Sequence, residues 1–159
     1  HYEVMFPGYK YNMMDLQAAL GLHQLKRVEG NLKKRERIWK RYDEAFEGLP
    51  LELPLPVEEN TRHARHLYTP LLKLEELSKG RNFVQQALHK ENVGSGIHFI
   101  SLHLHKYYRE RFGFGAGDFP NANFISGRTI SLPLSPKLKD EDVEDVIQAV
   151  SKVVGYCKK

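Results

Sequence analysis

The sequence predicts an α+β fold, in which one long helix is followed by a small, mostly antiparallel sheet covered by helices. Three observations lead to this prediction. Apolar residues recur at helical spacing over residues 13–47, β-prone and helical segments alternate over residues 51–154, and 159 residues suffice for one domain with a substantial core. We expect residues 1–50 to form a loop and a long helix, and residues 51–159 to form a small α+β domain.

The long helix is predicted over residues 13–47, and Gly48 and Pro50 end it. Its apolar positions, three or four residues apart, are Leu16, Leu20, Leu25, Val28, Leu32, Ile38, Trp39, Tyr42, Ala45 and Phe46. Such a helix would be about 50 Å long, whereas a domain of this size has a radius of gyration of about 15 Å. We therefore expect it to reach beyond its own domain or to bend near Gly30. Its apolar N-terminal half should mediate self-association as a two-fold dimer.

Four short segments are predicted as strands by their apolar and β-prone content. They are residues 51–55, 66–72, 97–100 and 129–132. Pro70 moves the second segment toward a sheet edge or a bulge, because proline has no amide proton to donate.

The remaining elements are helical. Residues 81–92 form a predicted helix that ends at Gly94, with inward side chains Phe83, Val84, Ala87 and Leu88. Residues 107–112 form an irregular helical turn before a Gly-rich loop, and residues 120–126 form a short helix. Residues 140–154 form the final helix, with Asp140 as its N-cap and acidic residues in its first turn.

Composition excludes some classes of protein. Apolar residues make up 41% of the chain without a run of the roughly 20 that a membrane span needs. Cys157 is the only cysteine, so no intrachain disulfide can form, and a cytoplasmic location is expected. The net charge of +4 comes mainly from residues 33–41, which we interpret as a solvated helix face. The alternative is a basic helical module that binds RNA or a protein partner.

Residues 8–21, GYKYNMMDLQAALG, join an aromatic and polar loop to an Ala-rich helix start. Later segments are HARHLY (63–68), GSGIHF (94–99), SLHLHKYYRERFG (101–113), FPNAN (119–123) and SLPLSPKLKDEDVEDVI (131–147). In these segments, their order and their spacing, the chain resembles the DegT/DnrJ/EryC1/StrS family of pyridoxal-phosphate (PLP) sugar-nucleotide aminotransferases. In that family a loop G-x-N-x-R-M leads into a helix Q-A-A-x-G-x-x-Q-L.

The resemblance implies the small C-terminal domain of a fold-type-I PLP enzyme, with the long helix bridging two domains. It also implies a homodimer that aminates a keto nucleotide sugar for cell-surface polysaccharide or lipopolysaccharide, with glutamate as donor. The segments look closest to the branch that makes UDP-4-amino-4-deoxy-L-arabinose. The lysine that binds PLP lies upstream in the family, so we expect a C-terminal fragment that has no catalytic residue and is inactive alone. A sugar dehydratase of the same family is the alternative.

The family's loop contacts the PLP phosphate of the neighbouring subunit, which makes Lys10 and Asn12 the cofactor-binding candidates. Lys10 falls on the family's usual Asn and Asn12 on its usual Arg, so either side chain could make the contact. Asn12 also sits where a helix N-cap belongs, and its amide can accept and donate. Tyr9 and Tyr11 are expected beside the cofactor or the sugar, or as aromatic filler of an interface.

The resemblance also implies that His98 and Phe99 lie near the sugar and the cofactor of the other subunit. The alternative for His98 is a hydrogen-bonded histidine at a strand end. Arg109 is a candidate for the substrate diphosphate, because a planar guanidinium suits that group, although a surface charge is the alternative.

We expect no metal site. The histidines that could serve as ligands are His63, His66, His103 and His105, and the sequence supplies no acid or thiolate partners for them at suitable spacing.

Overall fold

The computed structural model describes residue 3 and residues 5–159, and there it shows the predicted α+β fold. The α-helices are α1 (Asp15–Phe46), α2 (Arg81–Lys90), α3 (Lys106–Phe112), α4 (Pro120–Arg128) and α5 (Asp140–Cys157). The strands are β1 (Leu51–Glu52) and β2 (Leu71–Leu72), and a 3-10 turn covers Leu102–Leu104. Across this described part, no helix is long and apolar enough to cross a membrane.

Helix α1 runs without interruption through Gly30, and its 32 residues make it about 48 Å long. Its C-terminal half is buried through Leu32, Ile38, Trp39, Tyr42 and Phe46. In its N-terminal half the leucines face solvent, with Leu16 68% and Leu20 60% exposed. Gly48 follows the helix at φ +79°, a left-handed conformation that glycine adopts without the cost of a Cβ atom.

The sheet is antiparallel and very short. Leu51 lies opposite Leu72 and Glu52 lies opposite Leu71. Beyond these two pairs it continues as single antiparallel bridges, Leu71 to Thr129, Tyr68 to Leu132 and Gly96 to Ser131. Three of the four predicted strands, those over residues 51–55, 66–72 and 129–132, are therefore reduced to a few paired residues each.

The prediction of a strand over residues 97–100 is wrong. Only Gly96 pairs with Ser131, and residues 97–100 form no backbone hydrogen bonds with another described segment. The chain turns away after this one bridge and enters the 3-10 turn at Leu102–Leu104.

Helix α2 packs on α5 through Val84 and Leu88, which are buried, while Ala87 is partly buried. The expected inward position of Phe83 is wrong. Val84 and Leu88 are the i, i+4 pair that faces the core, so Phe83 lies on the flank of the helix. There it is exposed, with the Lys79 ammonium 5.5 Å from its ring centroid.

Helix α5 begins at Asp140, but the expectation that Asp140 is its N-cap is wrong. Lys139 occupies the cap position, and its amide donates to the Asp142 carboxylate at 2.7 Å. The Asp140 carboxylate instead accepts hydrogen bonds from Arg37 at 3.0 Å and Arg41 at 3.3 Å. These contacts connect the start of α5 to α1.

An aromatic cluster forms the centre of the core. The Tyr68 ring lies 4.8 Å from the Trp39 ring and 5.0 Å from the Tyr42 ring, centroid to centroid, with edge-on geometry in both cases. Its hydroxyl donates to Asp43 Oδ1 at 2.8 Å, and the Tyr42 hydroxyl donates to the Pro133 carbonyl at 2.8 Å. Burial raises the pKa of the Tyr68 hydroxyl above its ordinary value, and the Asp43 hydrogen bond and charge add to this effect.

Replacing Tyr68 by Phe tests the buried hydrogen bond. The variant keeps the ring and leaves the partly buried Asp43 carboxylate without this donor, so it should lose about 1–2 kcal/mol of unfolding free energy. Urea unfolding at neutral pH measures the loss. Tyr156→Phe is the matched control, since that side chain is exposed, and it should unfold at the wild-type midpoint. Equal midpoints for all three proteins would contradict the assigned role of Asp43.

Candidate functional site

The predicted site residues lie in three places. Tyr9, Lys10, Tyr11 and Asn12 share the segment before α1, which we call the site loop (residues 8–14). His98 and Phe99 follow the Gly96 bridge, and Arg109 lies on α3. Within the described residues, no side-chain hydrogen bond or ion pair joins one of these places to another.

The site loop is in solvent. The Tyr9 and Tyr11 rings stack on each other with centroids 5.4 Å apart, and both are exposed. Lys10 and Asn12 are exposed as well, and neither side chain has a hydrogen-bond partner among the described residues. The loop therefore presents an ammonium group and an amide that other groups can bind.

The expectation that Asn12 caps α1 is wrong. The cap residue is Met14, and its backbone amide donates to Gln17 Oε1 at 3.1 Å. Because Gln17 satisfies this amide from within the first turn, the helix begins at Asp15 and Asn12 stays outside it. The Asn12 amide keeps its donors and its acceptor for another partner.

The donors of the site loop suit a phosphate. A phosphate dianion needs N–H donors and positive charge, which the Lys10 ammonium and the Asn12 amide supply. The loop adds no wall that would exclude water, since all its residues are exposed. The residues present therefore fit a PLP phosphate as one side of a site that other residues must complete.

The corner around His98 is held in place. Gly96 and Ser131 exchange both backbone hydrogen bonds, at 3.1 and 2.8 Å. The Ser131 side chain is part of this corner, since Ser131 is only 5% exposed and its Oγ lies 2.6 Å from His98 Nδ1. A Cβ atom at Gly96 would come within 2.8 Å of His98 Cε1, so glycine is required for the imidazole to lie against the backbone.

Ser131 was not predicted as a site residue, although it lies in the SLPL segment. Ser131 is separated from His98 by 33 positions, and only the backbone pairing brings the two together. The only local signal was the glycine two residues before His98.

His98 borders a cleft with a volume of about 500 Å³. Its polar lining includes Thr69, Asn121 and Thr129, and its apolar lining includes Leu53 and Phe124. Apolar walls with a few polar groups are typical of sites for small organic molecules. Phe99 stands beside this histidine, with its ring edge-on to the imidazole and the two centroids 4.8 Å apart.

Helix α3 presents Arg109 to solvent. Aromatic contacts support this helix, since the ring centroids of Tyr108 and Phe112 are 6.2 Å apart and those of Phe112 and Phe114 are 5.5 Å apart. Lys106 is paired with Glu110 at 3.8 Å, whereas the Arg109 guanidinium forms no ion pair within the described part of the chain. Its charge is therefore available to an anion.

Two of the histidines considered as metal ligands pack against aromatic rings. His103 is buried beside Phe119, with ring centroids 4.8 Å apart, and His63 lies edge-on to Trp39. In residue 3 and residues 5–159, no group of three His, Cys, Asp or Glu side chains could hold a metal ion.

Known proteins resemble this chain along nearly its whole length. The model of the DegT/DnrJ/EryC1/StrS aminotransferase family matches residues 1–151. SpsC of Bacillus subtilis, a spore coat polysaccharide biosynthesis protein, is 49% identical over 97% of this chain. The uncharacterized protein MJ1066 of Methanocaldococcus jannaschii is 47% identical over 98% of it. The chain spans 40% of the length of each of these two relatives.

Solved structures share the fold. The PMP form of Spr1654 from Streptococcus pneumoniae, a candidate sugar aminotransferase, matches with a TM-score of 0.88 and 33% identity over 98% of this chain and 39% of its own. PseC of Helicobacter pylori, an aminotransferase in pseudoaminic acid biosynthesis, matches with a TM-score of 0.84 and 26% identity over 97% of this chain and 41% of its own. The family model matches nearly the whole chain, and two relatives are almost half identical to the chain. The chain therefore belongs to the DegT/DnrJ/EryC1/StrS aminotransferase family.

Proposed function

We propose that the full-length protein is a PLP-dependent aminotransferase that aminates a keto nucleotide sugar for cell-surface polysaccharide or lipopolysaccharide. The observation that carries this proposal is the 49% identity to SpsC, whose name refers to spore coat polysaccharide. PLP and PMP forms of the structural neighbour Spr1654 support the cofactor. Glutamate is the proposed donor, and a UDP-4-keto-pentose is the proposed acceptor.

Bound PLP would carry the amino group from the donor to the sugar. In this proposal the Lys10 ammonium, the Asn12 amide or both hold its phosphate. We propose that the lysine that binds the cofactor covalently lies outside these 159 residues, so that this chain alone is inactive. The rings of Tyr9 and Tyr11, which are exposed in this chain, are proposed to lie beside the bound cofactor or sugar.

His98 and Phe99 are proposed to contact the sugar. A serine hydroxyl can donate to Nδ1 of a neutral imidazole, and the remaining proton is then on Nε2. Ser131 would in this way keep His98 in the form that donates from Nε2 to a sugar oxygen. Arg109 is proposed to bind the diphosphate, for which a guanidinium has matching geometry.

The long helix is proposed to connect two parts of the protein. Residues 1–50 would supply the site loop and the bridging helix, and residues 51–159 the small domain. The exposed leucines of α1 support a homodimer, because a closed two-fold contact would cover them. The cytoplasm is the proposed compartment, which agrees with one free, buried cysteine.

The reaction can be tested with the full-length protein loaded with PLP. Glutamate should convert the cofactor absorbance to that of PMP, and a UDP-4-keto sugar should restore it and yield an amino sugar by mass spectrometry. The 159-residue chain with PLP should show neither change. A product that has lost water instead of gaining nitrogen would assign the protein to the sugar dehydratases and reject the aminotransferase.

The proposed phosphate contact predicts that removing the Lys10 and Asn12 side chains weakens PLP binding. In the full-length protein, Lys10→Ala with Asn12→Ala should weaken PLP binding by about 1.5–3 kcal/mol for each bond lost to the charged phosphate. Equilibrium dialysis measures the affinity. Lys33→Ala, an exposed lysine within α1, is the control and should bind PLP normally. Unchanged affinity in the double variant would reject the loop assignment.

The contact between Ser131 and His98 predicts that removing the serine hydroxyl mixes the two tautomers of His98 and slows the reaction. Ser131→Ala should reduce kcat/KM for the sugar by about tenfold, the equivalent of one hydrogen bond, while PLP affinity stays constant. Nitrogen NMR of His98 should show a mixture of tautomers in the variant. Ser101→Ala is the control, since this buried serine donates to the Ala122 carbonyl instead. If His98 kept one tautomer in both variants, Ser131 would have no positioning role.

The exposed leucines predict self-association of the 159-residue chain. Leu16→Glu with Leu20→Glu should shift it toward monomer, because two carboxylates would have to be buried in the contact. Sedimentation velocity at micromolar concentration measures this shift, with the exposed Leu55→Glu as control. A wild-type chain that sediments as a monomer would exclude the contact.

A further inference from the structure

A cleft of about 440 Å³ lies between α1 and the loop that precedes α5. Helix α1 lines it with Gln24, Arg27, Asn31 and Lys34, and the loop lines it with Ser135, Pro136 and Lys137. We call it the basic cleft. None of its lining residues belongs to the site loop or to the His98 corner.

The basic cleft contains three cations and no carboxylate. Arg27, Lys34 and Lys137 form no ion pair within the described residues. Farther along α1, by contrast, Arg37 and Arg41 bind the Asp140 carboxylate. Like charges around one small volume repel one another, and a bound anion would remove this repulsion.

The other polar groups of the cleft are suited to the same type of ligand. The Gln24 and Asn31 amides can donate, and no side-chain hydrogen bond occupies them within the described residues. Ser135 Oγ accepts a hydrogen bond from the Lys137 backbone amide at 3.3 Å. The Ser135 hydroxyl can therefore still donate its own proton to a ligand. An arginine fork, two ammonium groups and neutral donors together match the oxygens of a phosphate.

The loop side of the cleft is anchored to the core. The backbone carbonyl of Pro133, two residues before Ser135, accepts a hydrogen bond from the hydroxyl of the buried Tyr42 at 2.8 Å. Ser135 is thereby held close to α1 when no ligand is bound. A partly preformed site loses less conformational entropy on binding than a mobile one.

We propose that the basic cleft binds a diphosphate-class anion. The volume is larger than one phosphate needs, and the cations approach it from both α1 and the loop. The ligand could be inorganic pyrophosphate or the diphosphate of a nucleotide, which share this chemistry. The inference goes beyond the proposed aminotransferase, in which the cofactor phosphate is assigned to the site loop and the substrate diphosphate to Arg109.

Titration calorimetry of the 159-residue chain tests the proposal, with inorganic pyrophosphate and UDP as separate probes at low salt. Arg27→Ala, Lys34→Ala and Lys137→Ala should each weaken pyrophosphate binding about threefold, as expected for exposed charge pairs. The triple variant should weaken it at least tenfold. Added salt should weaken binding to the wild-type chain, because the contacts are exposed.

A matched triple variant separates the cleft from net charge. Lys26→Ala, Lys33→Ala and Lys90→Ala remove the same charge outside the cleft and should leave binding within about twofold of wild type. Tighter binding of UDP than of pyrophosphate would identify a nucleotide as the source of the diphosphate, and equal binding would identify the diphosphate alone. Absence of binding by both probes, or equal weakening in the two triple variants, would overturn the proposal. Thermal unfolding of each variant confirms that it is folded.

Discussion

The rest of the structure depends on the packing of the Tyr68 ring against helix α1. The ring packs against Trp39 and Tyr42 of α1, and its hydroxyl is held by Asp43. Its backbone pairs with Leu132, so the same residue connects the long helix to the sheet. The neighbour of Leu132 in sequence, Ser131, has its Oγ 2.6 Å from His98 Nδ1. The position of the imidazole relative to α1 therefore follows from one buried aromatic contact and two backbone bridges.

The two halves of the candidate site depend on different parts of the protein. The His98 corner is complete within this chain, because Gly96 and Ser131 hold the ring by backbone pairing and a buried hydroxyl. The site loop has no such internal support, and its aromatic and polar side chains project into solvent. In the proposed enzyme, residues outside this chain would fix the geometry of the site loop, as expected for the proposed phosphate site shared across an interface.

The sequence predicts those features that depend on local spacing. Apolar periodicity and Gly48 place the ends of α1 within two residues of where they lie, and the same periodicity identifies α5. The cap predictions at Asn12 and Asp140 are wrong, because Met14 and Lys139 occupy the cap positions and their backbone amides donate to Gln17 and Asp142. Strand lengths were overestimated, since pairing depends on partners distant in sequence. Ser131 could not be predicted for the same reason.

Because α1 is one uninterrupted helix, a small rotation at its buried end moves its other end by a larger distance. Its C-terminal half is buried around Tyr42 and Phe46, while its other half extends into solvent and carries the site loop at its tip. A tilt of roughly 5° about Leu32 would displace Asp15 by roughly 2 Å, given the rise of a helix per residue. Such a shift is several times the range of about 0.5 Å over which donor–acceptor distances in hydrogen bonds vary. Packing errors in the core of the small domain would therefore be transmitted to the site loop and its proposed phosphate contact, far from where they arise.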